Sequence, residues 1–253
     1  MGPDPNRYPI RDPRTVARDI PGMLDIVFPR LSGGLVAALN RKMFQFNSVT
    51  PLDEDKIAQS RQQKSMLFEI AVVMAERSIT DGSAPPMVEC VNLALVRQRT
   101  HFDARIPPPL SDLDEQIAMA AASNLVSMLR DYANQISAKE VIVRPNVPGF
   151  GWIGSGVGDF AIGSVLIEVK HTDRNFISND YRQILLYWLL SYAKGMETGE
   201  FCWSHYLLLN PRLNRAAYGS FDRLISSASG GLSRLEIYEY LRAIVRSSSE
   251  IRK

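Results

Sequence analysis

Two acids and a lysine interrupt an apolar stretch, "GDFAIGSVLIEVKH", residues 158–171. Gly163-Ser164 fits a two-residue type II′ turn, because glycine at the first central position accepts positive φ and this turn matches the twist of the strands it joins. A two-residue loop fixes the register: Ile162 faces Val165, Ala161 faces Leu166, Phe160 faces Ile167 and Asp159 faces Glu168. Side chains alternate along each strand. Phe160, Ile162, Val165, Ile167 and Val169 therefore share one apolar face, expected to be core, while Asp159, Ala161, Leu166, Glu168 and Lys170 share the other, expected to carry chemistry. Like charges directly opposite on a sheet are destabilising, with Cβ atoms only about 4.5–5.5 Å apart. Three compensations are open: a proton on one acid, neutralisation by Lys170, or a divalent cation between the two. The cation is the favoured reading. On the rival reading, Glu168 and Lys170 are surface charges of a solvent-facing strand end and Asp159 caps a turn.

The element after the hairpin, "SNDYRQILLYWLLSYAKG", sets Gln183 and Tyr187 four residues apart, on one helix face. Tyr187 also belongs to a series with Ile184, Trp188 and Tyr192 that reads equally as core, and Gln183 reads equally as a solvated polar residue. The elements that must position these side chains follow in a legible order. A helix over about 113–135 precedes a strand "KEVIVRP", the hairpin, a helix over about 179–194 and a strand "FCWSHYLLLNP". Ser233 and Glu236 form a capping-box pattern ahead of a last helix. Upstream, Thr50 as N-cap and Pro51 at the first helical position predict one long amphipathic helix to about Ser78. A second helix, "MVECVNLALVRQR", is stopped by the prolines at 107–109, where a soft boundary falls. Residues 15–48 show no clear period, and the Pro-rich start reads as an extended or disordered arm.

Composition excludes more than it identifies. The 253 residues, 45% hydrophobic, suffice for one large domain or two small ones. No apolar run is long enough for a membrane span, and "MGPDPNRYPIRDPR" has no apolar signal core, so the expected location is cytoplasmic with no membrane partner. Cys90 and Cys202 are too few for a disulfide framework, a four-cysteine zinc site or an iron–sulfur cluster, and read as free buried thiols. Any metal would bind through oxygen. "GWIGSGVGD" lacks the Lys-Ser/Thr of a phosphate-binding loop, and Ser191, Ser204 and Ser220 lack a G-x-S-x-G elbow. His101 and His205 have no partner at ligand spacing. A net charge of +2 decides nothing about partners.

Taken in order, Asp159, Glu168-Val169-Lys170 and Gln183-Ile-Leu-Leu-Tyr187 resemble the motif series of the PD-(D/E)XK nuclease superfamily, in its RecB-like branch with a Q-x-x-x-Y motif. The resemblance covers roughly residues 112–210. It implies an α/β, restriction-endonuclease-like core, a mixed central sheet flanked by helices in the order αβββαβ, with a mainly helical N-terminal region. The implied division is an arm over 1–14, a helical accessory region over 15–110 and a nuclease domain over 111–253. In such a site Asp159, Glu168 and the main-chain carbonyl of Val169 would hold Mg²⁺, with Mn²⁺ as a substitute. Lys170 would orient the attacking water, and Gln183 and Tyr187 would support the network. A further acid would come from Glu115, on the helix before the first strand, or from Glu69, which otherwise pairs with Arg61 or Lys64. Asn124, on a stripe with Ile117, Ala121 and Met128, is a weaker match to the same position. Arg174, Arg182, His171 and Arg212 are candidates for phosphate contact.

The activity implied is metal-dependent hydrolysis of DNA phosphodiester bonds, in a microbial anti-phage defence or DNA-processing setting. A helicase or ATPase is the implied partner, and homodimerisation is common among such proteins. Two rivals stand beside this reading: a catalytically silent nucleic-acid-binding or assembly subunit of the same fold, and an RNase on the same scaffold.

Overall fold

The computed structural model of the chain describes residues 12–19, 23–83, 85–98, 109–199 and 203–250. Its elements in chain order are α1 (Pro13–Asp19), α2 (Met23–Val27), α3 (Gly33–Asn40), α4 (Glu54–Gln59), α5 (Lys64–Thr80), α6 (Met87–Gln98), α7 (Asp112–Gln135), β1 (Ile142–Val143), β2 (Asn146–Val147), β3 (Gly156–Val157), β4 (Phe160–Ile162), β5 (Val165–Val169), α8 (Ser178–Thr198), β6 (His205–Asn210), β7 (Arg215–Ser220), α9 (Phe221–Ser229) and α10 (Arg234–Glu250). Five strands form one mixed sheet in the order β1-β4-β5-β6-β7, while β2 and β3 pair separately. Only β5 and β6 run parallel within it. Parallel neighbours need a long crossover, and α8 supplies it.

The sheet is covered on both faces. Leu207 and Leu209 of β6 pack with α5 and α7, whereas Tyr206 and Leu208 pack with α8, α9 and the N-terminal helices. A strand buried on both sides reads as a continuous apolar run, which is why "YLLL" shows no alternation. The hairpin follows the same rule: Phe160, Ile162, Val165, Ile167 and Val169 lie in the α5–α7 layer and Leu166 in the α8 layer. The helix α8 is buried nearly all round, and Gly199, in the left-handed region at φ 71°, closes it. Among the described residues no helix is long and apolar enough to cross a membrane.

The hairpin register is the expected one over Phe160↔Ile167, Ala161↔Leu166 and Ile162↔Val165. It stops one pair short of Asp159 and Glu168. Two expectations are corrected here. Glu168 is 1% exposed, so its face is not a solvent-facing strand end. The long helix expected over 50–78 is two helices, because Ser60 leaves the helical region at ψ 135° and its hydroxyl hydrogen-bonds Asp114 at 2.5 Å. Asp53, not Thr50, caps the first of them, accepting from the main-chain N–H of Asp55 and Lys56. The stretch 15–48, which showed no period, forms three short helices, two of which begin within it. The arm expected over 1–14 lies outside the described residues up to 11, and Pro13 already begins α1.

Gly163 has φ 54°, and Ser164 is not in the positive-φ region, which makes the turn type II′ rather than I′. A Cβ at Gly163 would meet nothing within 4 Å, so substitution there has a purely conformational cost. Gly163→Ala is expected to lower the unfolding free energy by about 1–2 kcal/mol in urea denaturation, with an unchanged native circular dichroism spectrum.

Candidate active site

All five side chains singled out by spacing converge at one end of the sheet. Asp159, just before β4, sends Oδ2 across the hairpin to accept the main-chain N–H of Val169 at 2.8 Å. The ladder itself ends at Phe160↔Ile167, and this bond ties Asp159 to the end of β5. Glu168, near the end of β5, points to the α8 side. There its Oε1 accepts Lys170 Nζ at 2.9 Å and Gln183 Nε2 at 2.5 Å. The amide oxygen of Gln183 accepts a second bond from Lys170 at 2.7 Å, and Gln183 Nε2 also donates to Tyr187 Oη at 2.9 Å. One helical turn of α8 thus holds the whole polar group. Gln183 and Tyr187, readable as solvated and as core respectively, are both buried parts of this network.

The sixth member was not foreseen. Arg14 of α1 places Nη2 3.3 Å from Asp159 Oδ1 and 3.6 Å from Glu168 Oε1. Burial works against its charge, but Glu168, Asp159 and Tyr187 together hold its pKa well above the ordinary arginine value. Arg14 lies at the edge of a Pro-rich start with no periodic signal, so local sequence offers nothing that ties it to residues 145 or more positions away. Burial, and after it the charge of Asp159, pushes Glu168 up to about 7, against the pull of Lys170 and Arg14. Tyr187 is also raised, by burial first and then by Glu168.

The remaining candidates fall elsewhere. Glu69 meets Arg97 at 3.4 Å rather than Arg61 or Lys64, and Arg97 binds Glu76 with both terminal nitrogens. Glu76, two turns beyond Glu69, is a buried acid that sequence reading passed over. Its pKa is raised by burial, against the pull of Arg97, and Arg144 lies 3.9 Å away. Glu115 sits in the first turn of α7, on the opposite side of the sheet from α8. Asn124 ties two loops together by donating to the carbonyls of Thr50 and Pro211. Arg212 is buried in a bidentate pair with Glu54, and Arg182 pairs with Asp25. Arg174 pairs with Asp180 while remaining half-exposed. His171 stacks on Phe68 and burial lowers it to about 3, so the ring is neutral, and with both nitrogens enclosed and unpartnered it is not placed to donate to a phosphate. His101 and Cys202 lie outside the described residues, and Cys90 is free and buried.

The donor set suits a small hard cation. Glu168 Oε2 is buried without a hydrogen-bond partner, although Oε1 of the same carboxylate is crowded with donors. A carboxylate oxygen left bare in the interior is destabilising unless something positive meets it. Among the described residues no three His, Cys, Asp or Glu side chains converge, so a cation here would have two carboxylates and would need main-chain carbonyls and solvent to complete its shell.

Because the folded-state pKa of Glu168 is raised, the native protein binds more protons than the unfolded chain between the ordinary carboxylate range and about pH 7. The stabilisation is present below that range and is lost as pH rises through 7. In buffer containing EDTA, urea denaturation should show wild type losing a few kcal/mol between pH 5 and 8. Glu168→Gln should remove most of that slope, and an equal slope in both proteins would contradict the assignment. No family model, curated protein or solved structure matches the chain, so the meaning of this site rests on its own geometry.

Proposed function

We propose that this chain is a metal-dependent nuclease that hydrolyses DNA phosphodiester bonds on a restriction-endonuclease-like core. The observation that carries the reading is the bare, buried Oε2 of Glu168 beside Asp159, with a lysine held alongside. Asp159, Glu168 and the carbonyl of Val169 would hold Mg²⁺ or Mn²⁺, which when bound supplies charge stabilisation to a phosphoryl oxygen and lowers the pKa of a water.

The protein's own groups have defined tasks in this scheme. The ammonium of Lys170 has three donors, of which Glu168 Oε1 and Gln183 Oε1 take two. The third is free to meet the attacking water or a phosphate oxygen, and the two fixed bonds aim it. Gln183 is a positioning residue: its oxygen holds Lys170 and its nitrogen holds Glu168, so the two reacting groups keep one relative orientation. Tyr187 Oη accepts from the same nitrogen, and the donor-only ammonium of Lys170 on the amide oxygen keeps the amide from flipping. Asp159 is fixed by the Val169 N–H, which leaves Oδ1 for a positive partner. Preorganised charge of this kind needs no rearrangement as negative charge builds on phosphate. DNA is the substrate of the proposal, in a defence or DNA-processing setting with a helicase or ATPase partner.

The test is cleavage of linear, circular and single-stranded DNA, with matched RNA, in Mg²⁺ or Mn²⁺. Glu168→Ala and Lys170→Ala are each expected to reduce cleavage of DNA by at least about 10²-fold at equal folded concentration, and EDTA to abolish it. Wild-type protein inert on every substrate would sink the nuclease reading in favour of an assembly subunit, and cleavage confined to RNA would overturn the choice of DNA.

A further inference from the structure

The N-terminal helix carries the one group in this site that a divalent cation and the two carboxylates cannot easily share. Arg14 reaches from α1 to within 3.3 Å of Asp159 Oδ1 and 3.6 Å of Glu168 Oε1, bridging the acids with a single nitrogen. Asp159 Oδ2 already accepts the Val169 N–H, so Oδ1 is the oxygen left for a cation, and it is the one that Arg14 holds. Guanidinium cannot shed its proton in a protein, so it cannot make way by becoming neutral. A dication on the same carboxylates would face that fixed charge at short range, in surroundings where repulsion is poorly screened.

The position of Arg14 is built rather than incidental. Asp12 caps α1, its Oδ1 accepting the main-chain N–H of Arg14 at 2.8 Å and of Thr15 at 3.2 Å. Val16 and Ala17, on the next turn, are buried against the α8 layer. The ring of Pro13 lies against Gly156 of β3, where even a Cβ would come within 3.0 Å of it. These contacts fix the backbone, while the Arg14 side chain keeps 39% of its surface exposed and has a route outward.

We infer that Arg14 is a built-in competitor for the divalent cation, so that cation affinity is set by how firmly this guanidinium holds Asp159 and Glu168. The inference rests on the proposed cation site and concerns loading rather than cleavage. When the cation binds, the guanidinium leaves the carboxylates toward solvent; when the cation leaves, it returns and neutralises them. Cation loading and the seating of Arg14 are then linked equilibria, each weakening the other by the same factor.

The test is calorimetric titration of the whole protein with Mn²⁺ at pH 8 without nucleic acid, comparing wild type, Arg14→Ala, Arg14→Gln and Arg14→Lys, each checked by circular dichroism for native fold. Arg14→Gln and Arg14→Ala should each bind Mn²⁺ at least tenfold more tightly than wild type, and Arg14→Lys, which keeps the charge, should stay within about threefold of it. Using two uncharged variants keeps the comparison valid if one of them fails to fold. Glu168→Gln should lose the binding, which ties the heat to this site. Equal, measurable affinities in wild type and the uncharged variants, or weaker binding in the latter, would overturn the competition and leave the cation site standing. No Mn²⁺ binding by any variant at millimolar concentration would overturn the cation site itself, and the competition with it.

Discussion

The structure turns on one carboxylate that has no way to reach water. Glu168 occupies the third strand of a five-stranded sheet whose two faces are both covered, and it is 1% exposed. Removing an ion from water opposes folding by several kcal/mol unless donors and opposite charges surround it. Lys170 from just beyond the same strand, Gln183 from the crossover helix and Arg14 from the first helix all converge on its Oε1. Each comes from a different part of the chain, so the site forms only when α1, β5 and α8 are in place together. The raised pKa of Glu168 is the outcome of this contest, since burial and Asp159 push it up while Lys170 and Arg14 pull it down.

Other buried charges near this end of the molecule are resolved differently. Glu76 is fully engaged by Arg97, with both guanidinium nitrogens on both carboxylate oxygens, and Arg212 is matched by Glu54 in the same bidentate way. Planar fork-to-fork pairing leaves each of those carboxylates satisfied. Glu168 is approached on one oxygen only, and its other oxygen is bare. The contrast separates saturated ion pairs, which join α5 to α6 and α4 to the β6–β7 turn, from a carboxylate kept available. It also explains why charge alone does not find the site: buried Arg–Glu pairs are just as prominent, and their geometry shows that they are saturated.

Much of this was legible in the sequence where short-range rules govern. The two-residue turn set the register, and period-two alternation sorted Phe160, Ile162 and Val165 from Leu166 and Glu168 without reference to the rest of the chain. Four-residue spacing placed Gln183 and Tyr187 on one face of a helix that does form. What was missed depends on distant contacts. Ser60 breaks a continuous helical pattern because Asp114, 54 residues on, takes its hydroxyl. The strand β7, "RAAYGS", has too few β-branched or large apolar residues to read as a strand, and it exists because β6 offers it an edge. Arg14 belongs to the same class, for its role is set by α1 docking on α8 rather than by its neighbours in sequence.

The choice of glutamine at position 183 follows from the two groups it joins. Lys170 offers only donors and the Glu168 carboxylate only acceptors, so a residue bridging both must accept at one atom and donate at another, which an amide does from a single rigid plane. A glutamate there would accept from Lys170 but set a third anion against Glu168. A lysine would donate to Glu168 but repel Lys170. Asparagine, with the same chemistry, is one methylene shorter and cannot span from the α8 backbone to both partners without drawing the helix toward the sheet. The orientation follows from Lys170, which can only donate and so takes the amide oxygen, while the hydroxyl of Tyr187 accepts from the amide nitrogen. A neutral, two-sided side chain, itself held by a second residue one turn along, is therefore the solution that fixes an ammonium beside a carboxylate without adding charge to a site that already carries more than burial tolerates.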